Sequence, residues 1–151
     1  MAVARFLMCE RSGRWAVALR GVRRPDDPRM WETRSLDDCW RELEVSPRSM
    51  VAVEATLANV ETLVRWMKRV ESGFPRAHVI VLAQRELECG QWLLREAGAR
   101  HVVFSPRDVR GVARMVRRYL AATPPDDDST RQRIWRQLPW GDQVACDANR
   151  K

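Results

Sequence analysis

Five short apolar runs punctuate the chain, at residues 5–9, 31–36, 50–53, 78–82 and 101–104. The last three are rich in Val, Ile and Leu without polar alternation, which suits central parallel strands covered by helices on both faces. Between the runs, apolar residues recur at three- and four-residue steps. Val60, Leu63, Val64, Met67 and Val70 form one stripe, and Val109, Val112, Val116 and Leu120 another. Each stripe predicts one buried helix face. Strands alternating with helices predict an α/β domain with right-handed crossovers. Asn59 and Asp108 are the expected caps of the two striped helices. Gly73, with its permissive backbone, and then Pro75 are expected to end the first. Residues 37–44 predict a short helix capped by Ser35 or Asp37, with Trp40 and Leu43 inward. Trp15, Trp40, Trp66 and Trp92 all fall in helical segments and are read as packing residues. His78 and His101 begin strands and have no catalytic partner visible, so both are read as structural.

The alternating series finishes near Ala122, giving a domain of residues 1–122, with no internal repeat. Residues 123–130 combine Pro124, Pro125, Asp126, Asp127 and Asp128 with small polar residues, a linker composition. Beyond it, residues 131–151 carry Ile134, Trp135, Leu138 and Trp140 in a polar context, so residues 123–151 are treated as linker and tail. Residues 21–29, with two prolines and several charges, predict a surface loop.

At 151 residues the chain has room for one domain with a single core. No signal-peptide pattern or membrane-length apolar run is present, and a cytoplasmic protein is expected. Cys9, Cys39, Cys89 and Cys146 show no metal-ligand or disulfide spacing and read as reduced thiols. The net charge of +7 comes mostly from arginine. It is consistent with an anionic partner, although a generally arginine-rich composition explains it equally well. No G-x-G-x-x-G or phosphate-loop motif occurs, and residues 10–14 are only weakly phosphate-like, so no cofactor is expected.

Residues 78–84, the helical stretch through Gly98 and Ala99, and His101-Val102-Val103-Phe104-Ser105-Pro106 resemble the receiver domain of bacterial response regulators. The resemblance covers roughly residues 4–122 and implies a doubly wound five-stranded parallel sheet of order 2-1-3-4-5. Receivers carry a phosphoryl group on an aspartate ending the third strand, with a divalent cation held by acidic residues after the first. Here the acidic pair is replaced by Cys9 and Glu10, and the acceptor position falls on Glu54 or Ala55. Ala83 stands where the family has a hydroxyl, and Ser105, before Pro106, where it has lysine. The resemblance is therefore to a degenerate, or pseudo, receiver without enzymatic activity. The changed positions lie at strand ends, where the fold survives without them.

Glu10 and Glu54 are expected near one another, where two carboxylates offer a metal site. The opposing reading, that each is solvated or paired with Arg11, Arg14 or Arg85, is stronger, and no metal is expected. The last helix places Arg107, Arg110, Arg114, Arg117 and Arg118 largely on one face, as a partner-docking surface or an ordinary solvated face. Ile134, Trp135, Leu138 and Trp140 form either a docking peptide or a cover for the chain's own surface. The resulting expectation is a pseudo-receiver acting through an unidentified protein partner, with homodimerisation open and no membrane contact. Two alternatives remain: a nucleic-acid module using the basic helix, and a residual phosphoacceptor.

Overall fold

The computed structural model describes residues 3–123. The tail segment bearing Ile134, Trp135, Leu138 and Trp140 lies outside the described residues. Within them the chain runs β1 (Phe6–Cys9), α1 (Arg14–Val22), β2 (Met30–Thr33), α2 (Leu36–Val45), β3 (Met50–Ala55), α3 (Val60–Gly73), β4 (His78–Ala83), α4 (Gln91–Glu96), β5 (Ala99–Val103) and α5 (Val109–Ala122). The five strands form one sheet of order β2-β1-β3-β4-β5, and every neighbouring pair is parallel. The α/β fold expected from the runs, and the doubly wound order 2-1-3-4-5 that the resemblance implies, are both observed.

Because side chains alternate across a strand, the sheet sorts its residues into two layers. Leu7, Val51, Val53, Val79 and Val81 meet Cys39 and Leu43 of α2, Leu63, Trp66 and Met67 of α3, and Leu94 of α4. Phe6, Met8, Met50, Ala52, Ile80 and Leu82 meet Trp15 and Leu19 of α1 and Val112 and Val116 of α5. The apolar stripes of α3 and α5 are therefore the contact faces of opposite layers.

Several local expectations need correction. Asn59 precedes α3, yet its side chain makes no cap bond. Its amide instead holds the preceding loop, Oδ1 accepting from Thr56 N at 2.8 Å and Nδ2 donating to Glu54 O at 3.0 Å. Asp108 also makes no cap bond. A 3-10 turn over Pro106–Asp108 intervenes, and Ser105 Oγ caps it by accepting from Arg107 N at 3.3 Å. Gly73 does end α3, but without left-handed backbone, since among the described residues only Gly13 and Gly98 have positive φ. What Gly73 provides is space: a Cβ there would meet the Trp40 ring at 3.2 Å.

The second apolar run divides in two, because Ser35 caps α2 by accepting from Asp38 N at 3.0 Å and so ends the strand side of the segment. Gly98, at φ 109°, turns the chain out of the α4 segment, and β5 then begins at Ala99, so His101 lies inside the strand. Trp15 and Trp66 are core residues, and Trp40 packs edge-on against Phe74 with ring centroids 4.8 Å apart. Trp92 is 67% exposed, contrary to its reading as a packing residue. The helix that carries it is only six residues long and buries Leu94 instead.

At the opposite end of the sheet from the carboxylates, His78 stacks on Tyr119 with centroids 4.4 Å apart. The Tyr119 hydroxyl lies 2.8 Å from the Arg48 carbonyl and 2.6 Å from that of Arg76. Burial, and secondarily the charge of Arg100, hold His78 below the usual histidine range. The unfolded chain therefore takes up this proton more readily than the folded one. The resulting stability is complete above about pH 6.5 and lost as pH falls through the lower folded-state value. Urea midpoints are expected to fall between about pH 7.5 and 5.5, and His78→Gln to flatten that slope.

Candidate functional site

Ligands of open α/β sheets bind beyond the carboxyl ends of the strands, and here that edge holds two buried carboxylates. Cys9 pairs with Val53 in the β1–β3 register. Glu10 and Glu54, the next residue of each, extend the side-chain rows that run through Met8 and Ala52 toward α1 and α5. Glu10 is 4% exposed and Glu54 8%.

The helix that follows explains how the carboxylates are accommodated. The N-cap position of α1 is Gly13, at φ 77°, which has no side chain with which to cap. Glu10 reaches forward instead: Oε2 accepts from Trp15 N at 3.0 Å and Oε1 from Ala16 N at 2.6 Å. These amides would otherwise lack partners at the helix start, where the macrodipole also favours an anion. Glu54 organises the same loop from the other side. Its Oε2 accepts from Arg11 N at 3.1 Å and its Oε1 from the Ser12 hydroxyl at 2.8 Å. Ser12 Oγ also lies 3.4 Å from Glu10 Oε2, so one hydroxyl bridges the two acids.

The alternatives of solvation or arginine pairing are thus corrected. Both carboxylates are buried, and among the described residues neither forms an ion pair with Arg11, Arg14 or Arg85. Arg11 contributes only its backbone N–H. The physical reason is local, because a tight loop at a helix start offers more N–H donors than it has acceptors of its own.

The other pocket positions do not converge on this pair. Ala55 and Ala83 face each other in the β3–β4 register, and both belong to the α2–α3–α4 layer. Cys9 lies in that layer too, where a hydrogen bond from the Cys39 thiol holds its pKa below the ordinary thiol value. The same contact, with burial, raises Cys39. Ser105 is occupied in capping and is followed by Pro106 at the start of the 3-10 turn. The structure therefore brings together Glu10, Glu54 and Ser12. Ser12 is the residue sequence reasoning passed over, and the signal for it was its position beside an uncapped Gly13. Among the described residues, no group of three or more His, Cys, Asp or Glu is placed to hold a metal ion.

On α5, Arg110, Arg114 and Arg118 are exposed, whereas Arg107, expected on the same helix, is exposed in the 3-10 turn that precedes it. Arg117 is drawn out of the series: its Nη1 lies 3.2 Å from Asp27 Oδ1 in the loop after α1. Burial alone would raise Asp27, but its hydrogen bond from the Arg24 amide and its contacts with Arg117 leave it below the usual carboxylate range.

No protein-family model and no curated protein sequence matches the chain. Among solved structures, a response regulator from Thermotoga maritima superposes with a TM-score of 0.65 at 16% identity, covering 80% of this chain and 100% of that one. A CheY-like receiver domain protein from Methanospirillum hungatei gives 0.61 at 10% identity, with 81% and 100% covered. The CheY-like protein TadZ from Pseudomonas aeruginosa gives 0.59 at 14% identity, with 82% and 98% covered. The described chain has the fold of CheY-like receiver domains. No helix among the described residues is long and apolar enough to cross a membrane.

Proposed function

We propose that this protein is a pseudo-receiver, a regulatory module that transmits signals through contacts with a protein partner and without phosphorylation. One observation carries the reading: the two carboxylates where receivers assemble their phosphoryl site are committed to Trp15 N, Ala16 N, Arg11 N and the Ser12 hydroxyl. A hard divalent cation needs several oxygen ligands turned toward one point, and these oxygens are turned toward amides. Glu54, the acceptor-position residue on this face, carries its carboxylate one methylene farther out than aspartate. Neither a hydroxyl from position 83 nor a cation from position 105 supports a transferred phosphoryl group. The module in this reading is cytoplasmic, cofactor-free and non-enzymatic. Its partner contacts are assigned to the segment holding Ile134, Trp135, Leu138 and Trp140, on sequence alone.

The test is incubation of the full chain with acetyl phosphate and Mg²⁺, followed by intact-mass analysis. No added phosphoryl group is expected, and the fluorescence of the buried Trp15 is expected to be unchanged by Mg²⁺ with beryllofluoride. A hydroxylamine-sensitive phosphoryl adduct lost in Glu54→Gln would overturn the reading and establish the residual phosphoacceptor instead.

A further inference from the structure

Acidic residues are unevenly distributed among the helices of the described residues, although Arg20 of α1 does reach Glu32 of β2. On the α2–α3 side, cations meet acids on the same surface: Arg41 pairs with Asp38, Arg65 with Glu61, Lys68 with Glu71 and Arg5 with Glu42. On the other side, neither α1 nor α5 contains a single Asp or Glu. The two helices lie side by side across one sheet face, and a groove of about 470 Å³ between them is lined by Gly21, Val22, Arg24, Arg110, Arg114 and Arg117. Asp27 neutralises Arg117 and thereby fixes one wall of the groove. Arg110 and Arg114, one turn apart, are exposed and make no hydrogen bond or ion pair among the described residues, and neither does Arg118. Cations thus recur along α5 at about 5.4 Å per turn.

We propose that the α1–α5 face binds the phosphate backbone of a nucleic-acid duplex. The planar guanidinium fork matches phosphate oxygens in pairs, and a regular row of such forks matches a regular row of anions. The composition of the face favours this occupant over an acidic protein, whose interface would need buried aromatic or large apolar anchors. Among the described residues, Val17 is the one large apolar side chain exposed on either helix. The exposed Trp92 and Leu93 belong to α4, in the opposite layer. With no exposed aromatic ring among its described residues to stack on bases, the face reads backbone rather than sequence and suits a duplex better than a single strand. Glu10 and Glu54 take no part, so this binding stands or falls separately from the pseudo-receiver reading.

The test is fluorescence anisotropy of the full chain with two labelled duplexes of about 20 base pairs and unrelated sequence. If Arg24, Arg110, Arg114 and Arg118 each neutralise one phosphate, the plot of log K against log salt has a slope of about −3.6, an affinity loss of roughly 150-fold between 50 and 200 mM salt. Arg110→Ala with Arg114→Ala is expected to weaken both duplexes at least tenfold at 50 mM and to reduce the slope by about 1.8. Arg41→Ala with Arg65→Ala is expected to change neither, and thermal unfolding is expected to match wild type in both double variants. Absence of binding at 50 mM salt, or binding indifferent to the Arg110 and Arg114 substitutions, would overturn the proposal. Equal competition by a polyglutamate peptide would also overturn it and assign the face to an acidic protein.

Discussion

Glu10→Ala is expected to destabilise the protein by about 3 kcal/mol, the loss of a helix cap together with a second buried N–H left unpaired. Glu10 supplies acceptors to both Trp15 N and Ala16 N, and nothing else in the loop can replace it because the cap position is Gly13. Glu10→Gln keeps the shape but has a single acceptor oxygen, so about half that loss is expected. Urea denaturation read by far-UV circular dichroism checks both, through a lowered midpoint at constant m-value. The sign is diagnostic. In an unoccupied cation site, two facing carboxylates repel, and removing one stabilises the fold. A stabilised Glu10→Ala variant would therefore show that Glu10 is a ligand awaiting a cation rather than a cap.

Trp66→Ala is expected to cost about 3–5 kcal/mol, the range for truncating a buried aromatic residue. Trp66 is 4% exposed, packs in the layer between the sheet and α3, and donates its indole N–H to the Leu36 carbonyl at 3.1 Å. That bond ties α3 to the first turn of α2, so the substitution removes both a core volume and an inter-helix link. Trp92→Ala should change stability by less than about 0.5 kcal/mol, because the side chain is mostly in solvent. The same denaturation series compares them, and similar losses in the two would contradict the layer assignment.

The two tryptophans also show what the sequence could reveal. The Val-rich runs at β3, β4 and β5 announced buried parallel strands, and the three- and four-residue stripes of α3 and α5 announced their covering faces. Those signals are local and periodic. Trp66 and Trp92 carry the same local signal, and only the length of each helix and its seating on the sheet separate core from surface. The pairing of Arg117 with Asp27 joins residues 90 positions apart, beyond any periodicity. At the carboxylates, the proximity of Glu10 and Glu54 was legible, since strand ends and side-chain alternation place them together. Their partners were not, because a backbone N–H belongs to every residue except proline and carries no sequence signature. The caps failed similarly: Asn59 and Asp108 have suitable side chains, but a loop carbonyl and a 3-10 turn altered the geometry at each.

The Glu54 carboxylate holds Arg11 N and the Ser12 hydroxyl, while Glu10 holds the first turn of α1, so both acids now serve the architecture. Shortening Glu54 to aspartate would therefore release Arg11 N and the Ser12 hydroxyl together and loosen the entry to α1, so folding constrains which residues positions 10 and 54 tolerate before any chemistry at this edge of the sheet comes into question.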